Sequence, residues 1–165
     1  MSISEPGRPL GADRVRKAMA ILAGTIWLVS APMAHASLGR TRETVEMDRA
    51  RFGAQMSSTT TSAYTLHTLT LPSGAVVREF TREDGVVFAV SWRGAGRPDL
   101  RQLLGDGFDT MQADIATRRP RVHRMPLAVN RADLVVHTGG HPGAFWGSAY
   151  LPQQVPAGFS GKDMR

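Results

Sequence analysis

Trp92, Arg93 and Arg97 gather around Gly94 and Gly96, and Trp146 and Tyr150 stand four residues apart later in the chain. Indole rings stack on flat groups and a guanidinium forms paired hydrogen bonds with carboxylate or phosphate, so this set suits recognition of an acidic or planar partner. Packing in the core is the simpler use of both tryptophans. His137 and His141 flank Gly139-Gly140, with His123 upstream, and are the residue type of a metal site. No acidic third ligand stands near them in sequence, so surface or hydrogen-bonded histidines are the plainer reading, and neither a metal nor another cofactor is expected. Gly158-Phe159-Ser160-Gly161 lacks the spaced second glycine of a nucleophile elbow, and Ser148 falls inside an expected strand. Asp99, Asp106, Asp109 and Asp114 can share a helix face, which solvation of an amphipathic helix requires in any case. The candidate binding surface is therefore Trp92, Arg93, Arg97, His137, His141 and Trp146, and no catalytic residue is assigned.

These side chains need elements to hold them. From Tyr64 the apolar period is two: residues 64–71, 75–81 and 86–92 are expected strands, joined by turns at Pro72-Ser73-Gly74 and Arg82-Glu83-Asp84-Gly85. Alternation places Val86, Phe88, Val90 and Trp92 on one face, and His67 is expected to point outward. After Pro98, with Asp99 as cap, Leu100, Leu103, Leu104, Phe108, Met111 and Ile115 recur at helical spacing, weakened at Gly105 and Gly107. Residues 133–138 and 144–151 form an expected second hairpin around Gly139 to Gly143. The expected fold class is α+β: a three-stranded antiparallel meander, a covering helix, then a second β-hairpin. Before it, 37–63 is an N-terminal segment and polar linker, with a short helix permitted at 43–55 and the run SSTTTS at 57–62. Residues 64–151 form the α+β domain, and 152–165, rich in proline and glycine, a loose C-terminal tail.

The N-terminal 36 residues have a different character. Arg14, Arg16 and Lys17 precede an apolar run at 18–29, and Ala34-His35-Ala36 is a small-x-small site, the order of an export signal peptide cleaved between Ala36 and Ser37. The run of about a dozen apolar residues falls short of the roughly 20 that a membrane-spanning helix needs. A periplasmic or secreted protein with no stable membrane span after cleavage is expected. The absence of cysteine excludes disulfides, thiol catalysis and Cys-ligated metals, leaving apolar burial to hold the fold. The whole chain carries +6. Arg118, Arg119, Arg121 and Arg124 cluster, but without interleaved aromatics they form a solvated connection rather than a nucleic-acid platform, and no nucleic-acid partner is expected.

Taken together, the leader before Ser37-Leu38-Gly39, the run LPSGAVVREFTREDGVVFAVSWRGAGRPDLRQLLGDGFD at 71–109 and the run DLVVHTGGHPGAFWGSAYLPQQVPAGFSGKDMR at 133–165 resemble a family of exported proteobacterial proteins, domain of unknown function 2844. The resemblance implies one exported domain and supplies no activity, cofactor or site residue. The sequence thus favours a non-enzymatic binding or accessory module whose partner is an envelope protein or an acidic or planar ligand. The alternatives are a small metal-dependent or hydrolytic enzyme using His137 and His141, and a structural component of an envelope assembly.

Overall fold

A computed structural model describes residues 38–117 and 126–165. The expected leader and the cluster of Arg118, Arg119, Arg121, His123 and Arg124 lie outside the described residues. In chain order the elements are α1 (Glu43–Phe52), β1 (Gln55–Thr60), β2 (Thr65–Thr70), β3 (Val76–Thr81), β4 (Val87–Gly94), α2 (Leu100–Leu104), α3 (Asp106–Ala116), β5 (Leu127–Asn130), β6 (Val135–His141) and β7 (Ala144–Tyr150), with a 3-10 turn at Pro152–Gln154. All seven strands pair antiparallel in one sheet of order β1-β2-β3-β4-β7-β6-β5.

Helix and strand are both present, but the expected arrangement is corrected: the meander and the second hairpin are parts of a single seven-stranded sheet. β7 pairs along β4, and two strands extend the edges that the sequence pattern left bare. β1 lies within the presumed polar linker. Its side chains are mostly exposed, so no alternation marks it, and the ladder to β2 rather than burial defines it. β5 is four residues long, too short to show a period. The covering helix is also two helices. Asp99 caps α2 by accepting from the backbone N–H groups of Arg101 and Gln102, and the chain then breaks at Gly105, whose φ of 56° and ψ of −129° leave the helical region.

The sheet separates two layers. On the helix-covered face, Leu69, Val77, Val87, Val90, Trp92, Val129, Val136 and Ala149 pack against Leu103 and Leu104 of α2, Met111 of α3 and Val45 of α1. On the other face Phe80, Phe88 and Ala89 pack with Tyr64, Leu66, Tyr150, Val155, Phe159 and Met164. Residues 152–165, expected to be a loose tail, thus form a strap across that second face. Phe159 meets Tyr64, Phe80 and Phe88 at centroid distances of 5.3, 5.3 and 4.8 Å, all edge to face. A β-bulge explains why Phe88 belongs there: Phe80 pairs with Ala89 and Thr81 with Val87, leaving Phe88 as the extra residue. The expected single face of Val86, Phe88, Val90 and Trp92 is broken at that point.

The helix-covered face also buries polar groups. His67, expected outward, is buried between Ser58 Oγ at 2.8 Å from Nδ1 and Thr81 Oγ1 at 3.2 Å from Nε2. Thr81 donates its own proton to the Thr65 carbonyl, so it accepts from His67 Nε2–H while Nδ1 accepts from Ser58. Burial, reinforced by the Arg42 charge and opposed by Glu46, holds the imidazole below its ordinary pKa of 6.5. On the helix layer, Gln102 Nε2 donates to the buried Asp48 carboxylate at 2.5 Å.

Candidate functional site

The strap leaves part of its face open. Beyond the aromatic cluster, strands β3, β4, β7 and β6 form the floor of a groove of about 1370 Å³, and residues 160–162, 164 and 165 of the strap form one wall. Register places the floor side chains in two rows. Arg78, Ser91, Ser148 and His137 are cross-strand neighbours in one; Val76, Arg93, Trp146 and Gly139 are neighbours in the other. With a rise of about 3.3 Å per residue the rows lie roughly 6.6 Å apart.

The side-chain charge in this groove has one sign. Arg78, Arg93, Lys162 and Arg165 line it, and among the described lining residues there is no Asp or Glu. Arg78 Nη1 donates to the backbone oxygen of Arg165, which ties the end of the strap to the floor. Among the described residues, the side chains of Arg93 and Lys162 have no hydrogen-bond or ion-pair partner. Elsewhere on the surface most described cations do meet acids: Arg40 with Asp106, Arg49 with Glu46, Arg82 with Asp84, Arg101 with Asp109 and Arg131 with Asp133.

The two tryptophans of the candidate surface part company. Trp92 is 3 % exposed and points into the helix-covered core. Its ring lies on Gly147, its cross-strand partner, so closely that a Cβ there would collide with the indole. Trp146 stands on the groove floor, 43 % exposed, with its ring over its own cross-strand partner Gly139, where a Cβ would come within 2.8 Å. Each ring is seated by a glycine opposite it; only the face differs.

Of the remaining candidates, Arg93 and His137 lie in the groove with Trp146. Arg97 stacks its guanidinium 4.3 Å above the Phe145 ring at the neighbouring end of the sheet. His141 caps the end of β6, its Nδ1 2.9 Å from the Pro142 carbonyl oxygen. His137 and His141 share a strand face, but four residues of strand separate their Cα atoms by about 13 Å, too far for one ion. No group of three or more His, Asp or Glu suited to a metal ion occurs among the described residues.

His137 is opposite Ser148, and its Nε2 lies 3.1 Å from Asn130 Oδ1. That is the outline of a nucleophile, base and orienting group, yet no hydrogen bond joins Ser148 to His137, so the serine is not activated in this arrangement. Asp99 is a helix cap, and Asp106 and Asp109 pair with arginines on the outer helix surface, which removes them from any shared carboxylate site. No helix among the described residues is long and apolar enough to cross a membrane.

Sequence reasoning missed Arg78, Ser91, Lys162 and Arg165. The first two carried a usable signal: period-two alternation in the β3–β4 hairpin already puts Arg78 on the same face as Val76. Lys162 and Arg165 carried none, because their position depends on where Phe159 docks.

No curated protein and no solved structure matches this chain. The family model for DUF2844, described as a protein of unknown function, matches residues 34–164, and the chain belongs to that family.

Proposed function

We propose that this protein is an exported binding module that holds an anionic ligand in the groove beneath its C-terminal strap. The observation that carries the reading is the coincidence, in one groove on one sheet face, of four cationic side chains, an exposed indole and no Asp or Glu among the described lining residues. Cationic side chains with no acidic side chain among them raise the local concentration of anions, and arginine beside an aromatic ring recognises flat or carboxylated groups. Export rests on the basic, apolar and Ala-x-Ala order of residues 14–36. An envelope location, periplasmic or secreted, places the ligand outside the cytoplasm.

Binding of a sulfated dextran, followed by calorimetry at physiological salt, tests the groove. Arg93→Ala is expected to weaken it by about fivefold or more, whereas the charge-matched Arg51→Ala on the exposed surface of α1 should change it less than about twofold. Equal effects of the two substitutions would assign the attraction to net charge and remove the groove from consideration. Mass analysis of the protein recovered from the producing cell should find a chain beginning at Ser37; a chain retaining residues 1–36 would overturn export.

A further inference from the structure

We infer that the ligand of this groove is a carboxylated glycan, a proposal that rests on the groove being the binding site. The floor offers three kinds of contact in a fixed order. Trp146 lies over Gly139 and is 43 % exposed, Arg93 is its direct neighbour across β4 and β7, and the adjacent row presents Ser148 and His137, with Ser91 buried beside them. An acidic pyranose has the matching parts on one ring: an apolar face for the indole, a carboxylate for the guanidinium fork and hydroxyls at the rim for the serine and imidazole groups. A groove of about 1370 Å³ has room for more than one such sugar. Lys162 on the strap meets the next acidic unit.

Other anionic polymers match fewer of these features. Single-stranded nucleic acid binds to successive aromatic platforms, and among the described lining residues Trp146 is the one exposed ring, Phe145 and Tyr150 being half-buried. A lipid surface needs an apolar patch or tunnel for acyl chains; among the described residues the exposed large hydrophobics are Met47, on α1, and Trp146 itself. An acidic peptide matches the cations but leaves the hydroxyl row without a specific role.

The test uses the full chain and four probes: a galacturonic-acid hexasaccharide, its carboxyl-reduced neutral counterpart, a thymidine oligonucleotide, and vesicles containing phosphatidylglycerol. The uronate hexasaccharide is expected to bind, to lose about tenfold or more on carboxyl reduction, and to lose a similar factor in each of Arg93→Ala and Trp146→Ala. Trp146→Phe, which keeps a flat ring, should recover most of the loss from Trp146→Ala. Equal binding of the neutral sugar, or no binding of the uronate, overturns the proposal. Oligonucleotide or vesicle binding that Arg93→Ala abolishes, with the uronate inert, overturns the glycan while leaving the groove as the site. Uronate binding indifferent to both Arg93→Ala and Trp146→Ala overturns the groove as well.

Discussion

One sheet presents two faces whose residues do opposite jobs with the same vocabulary. On the helix side a tryptophan seated on a cross-strand glycine is sealed under α2 and α3 and contributes to the core. On the strap side a tryptophan seated in the same way faces an open, cationic groove. What differs is the cover. Two helices bring Leu103, Leu104 and Met111 down over one face, whereas the strap contributes Phe159 and Met164 at one end and leaves Arg93, Trp146 and His137 uncovered. A residue's type therefore does not assign its job; the layer laid over it does.

The largest expected effect breaks the covered face. Leu103 and Leu104 are fully buried, so Leu104→Ala should cost about 2–5 kcal/mol in chemical unfolding, against about 0.5 kcal/mol or less for Arg93→Ala in the groove. Similar costs at both sites would mean that the groove floor is part of the structural core. The two glycines sharpen the same contrast. Gly147→Ala drives a methyl group into a ring with no room to move and is expected to cost about 1–3 kcal/mol. Gly139→Ala meets a ring that can lift toward solvent, so it should cost less stability while changing ligand binding. If Gly139→Ala proves the more destabilising, Trp146 is a structural ring and the indole platform fails.

Much of the covered face was legible in advance, because burial imposes a period. The strands around Leu69, Val77 and Val90 and the helical recurrence of Leu100, Leu103, Leu104 and Met111 follow from apolar alternation and capping at Asp99. What escaped was whatever burial does not pattern. β1 offers the core one apolar side chain, Met56, and is defined by its hydrogen-bonded ladder to β2, β5 is too short for a period, and the Phe88 bulge reverses an alternation that sequence alone continues. The site was half legible for the same reason. Arg93 and Trp146 were singled out by type, while Trp92 was separated from them by facing the helices. Lys162 and Arg165 reached the groove through a docking of Phe159 that no local pattern announces.

Phe159 is the hinge of the comparison, since it decides how much of the second face is covered. Phe159→Ala should cost about 1–3 kcal/mol, less than a full core truncation because the ring is partly exposed, and should speed amide exchange across residues 160–165. Unchanged exchange there would show that the Arg78 contact to Arg165, and not the aromatic cluster, holds the strap.

The smallest expected effect concerns His67, the one imidazole on the covered face among the described residues. It is buried with Nδ1 accepting from Ser58 and Nε2 donating to Thr81, next to the charges of Arg42 and Glu46 and opposite Glu79 across β2 and β3. Its pKa is depressed by burial first and by Arg42 second, so the native protein binds fewer protons at this site than the unfolded chain. The contribution to stability is then complete above the ordinary value of 6.5 and declines as the pH falls through it. Acidification from about pH 7.5 to about 5.5 should lower the melting temperature of the protein more than that of His67→Asn, which keeps an amide able to bond both hydroxyls. Hydrogen bonds from neighbouring groups hold the carboxyls of Glu43, Asp84 and Asp133 below their ordinary values, which moves them away from this window. Parallel melting profiles would show that His67 already protonates at no cost, and that the helix-covered face is as open to water at its β1 end as the groove is on the other side.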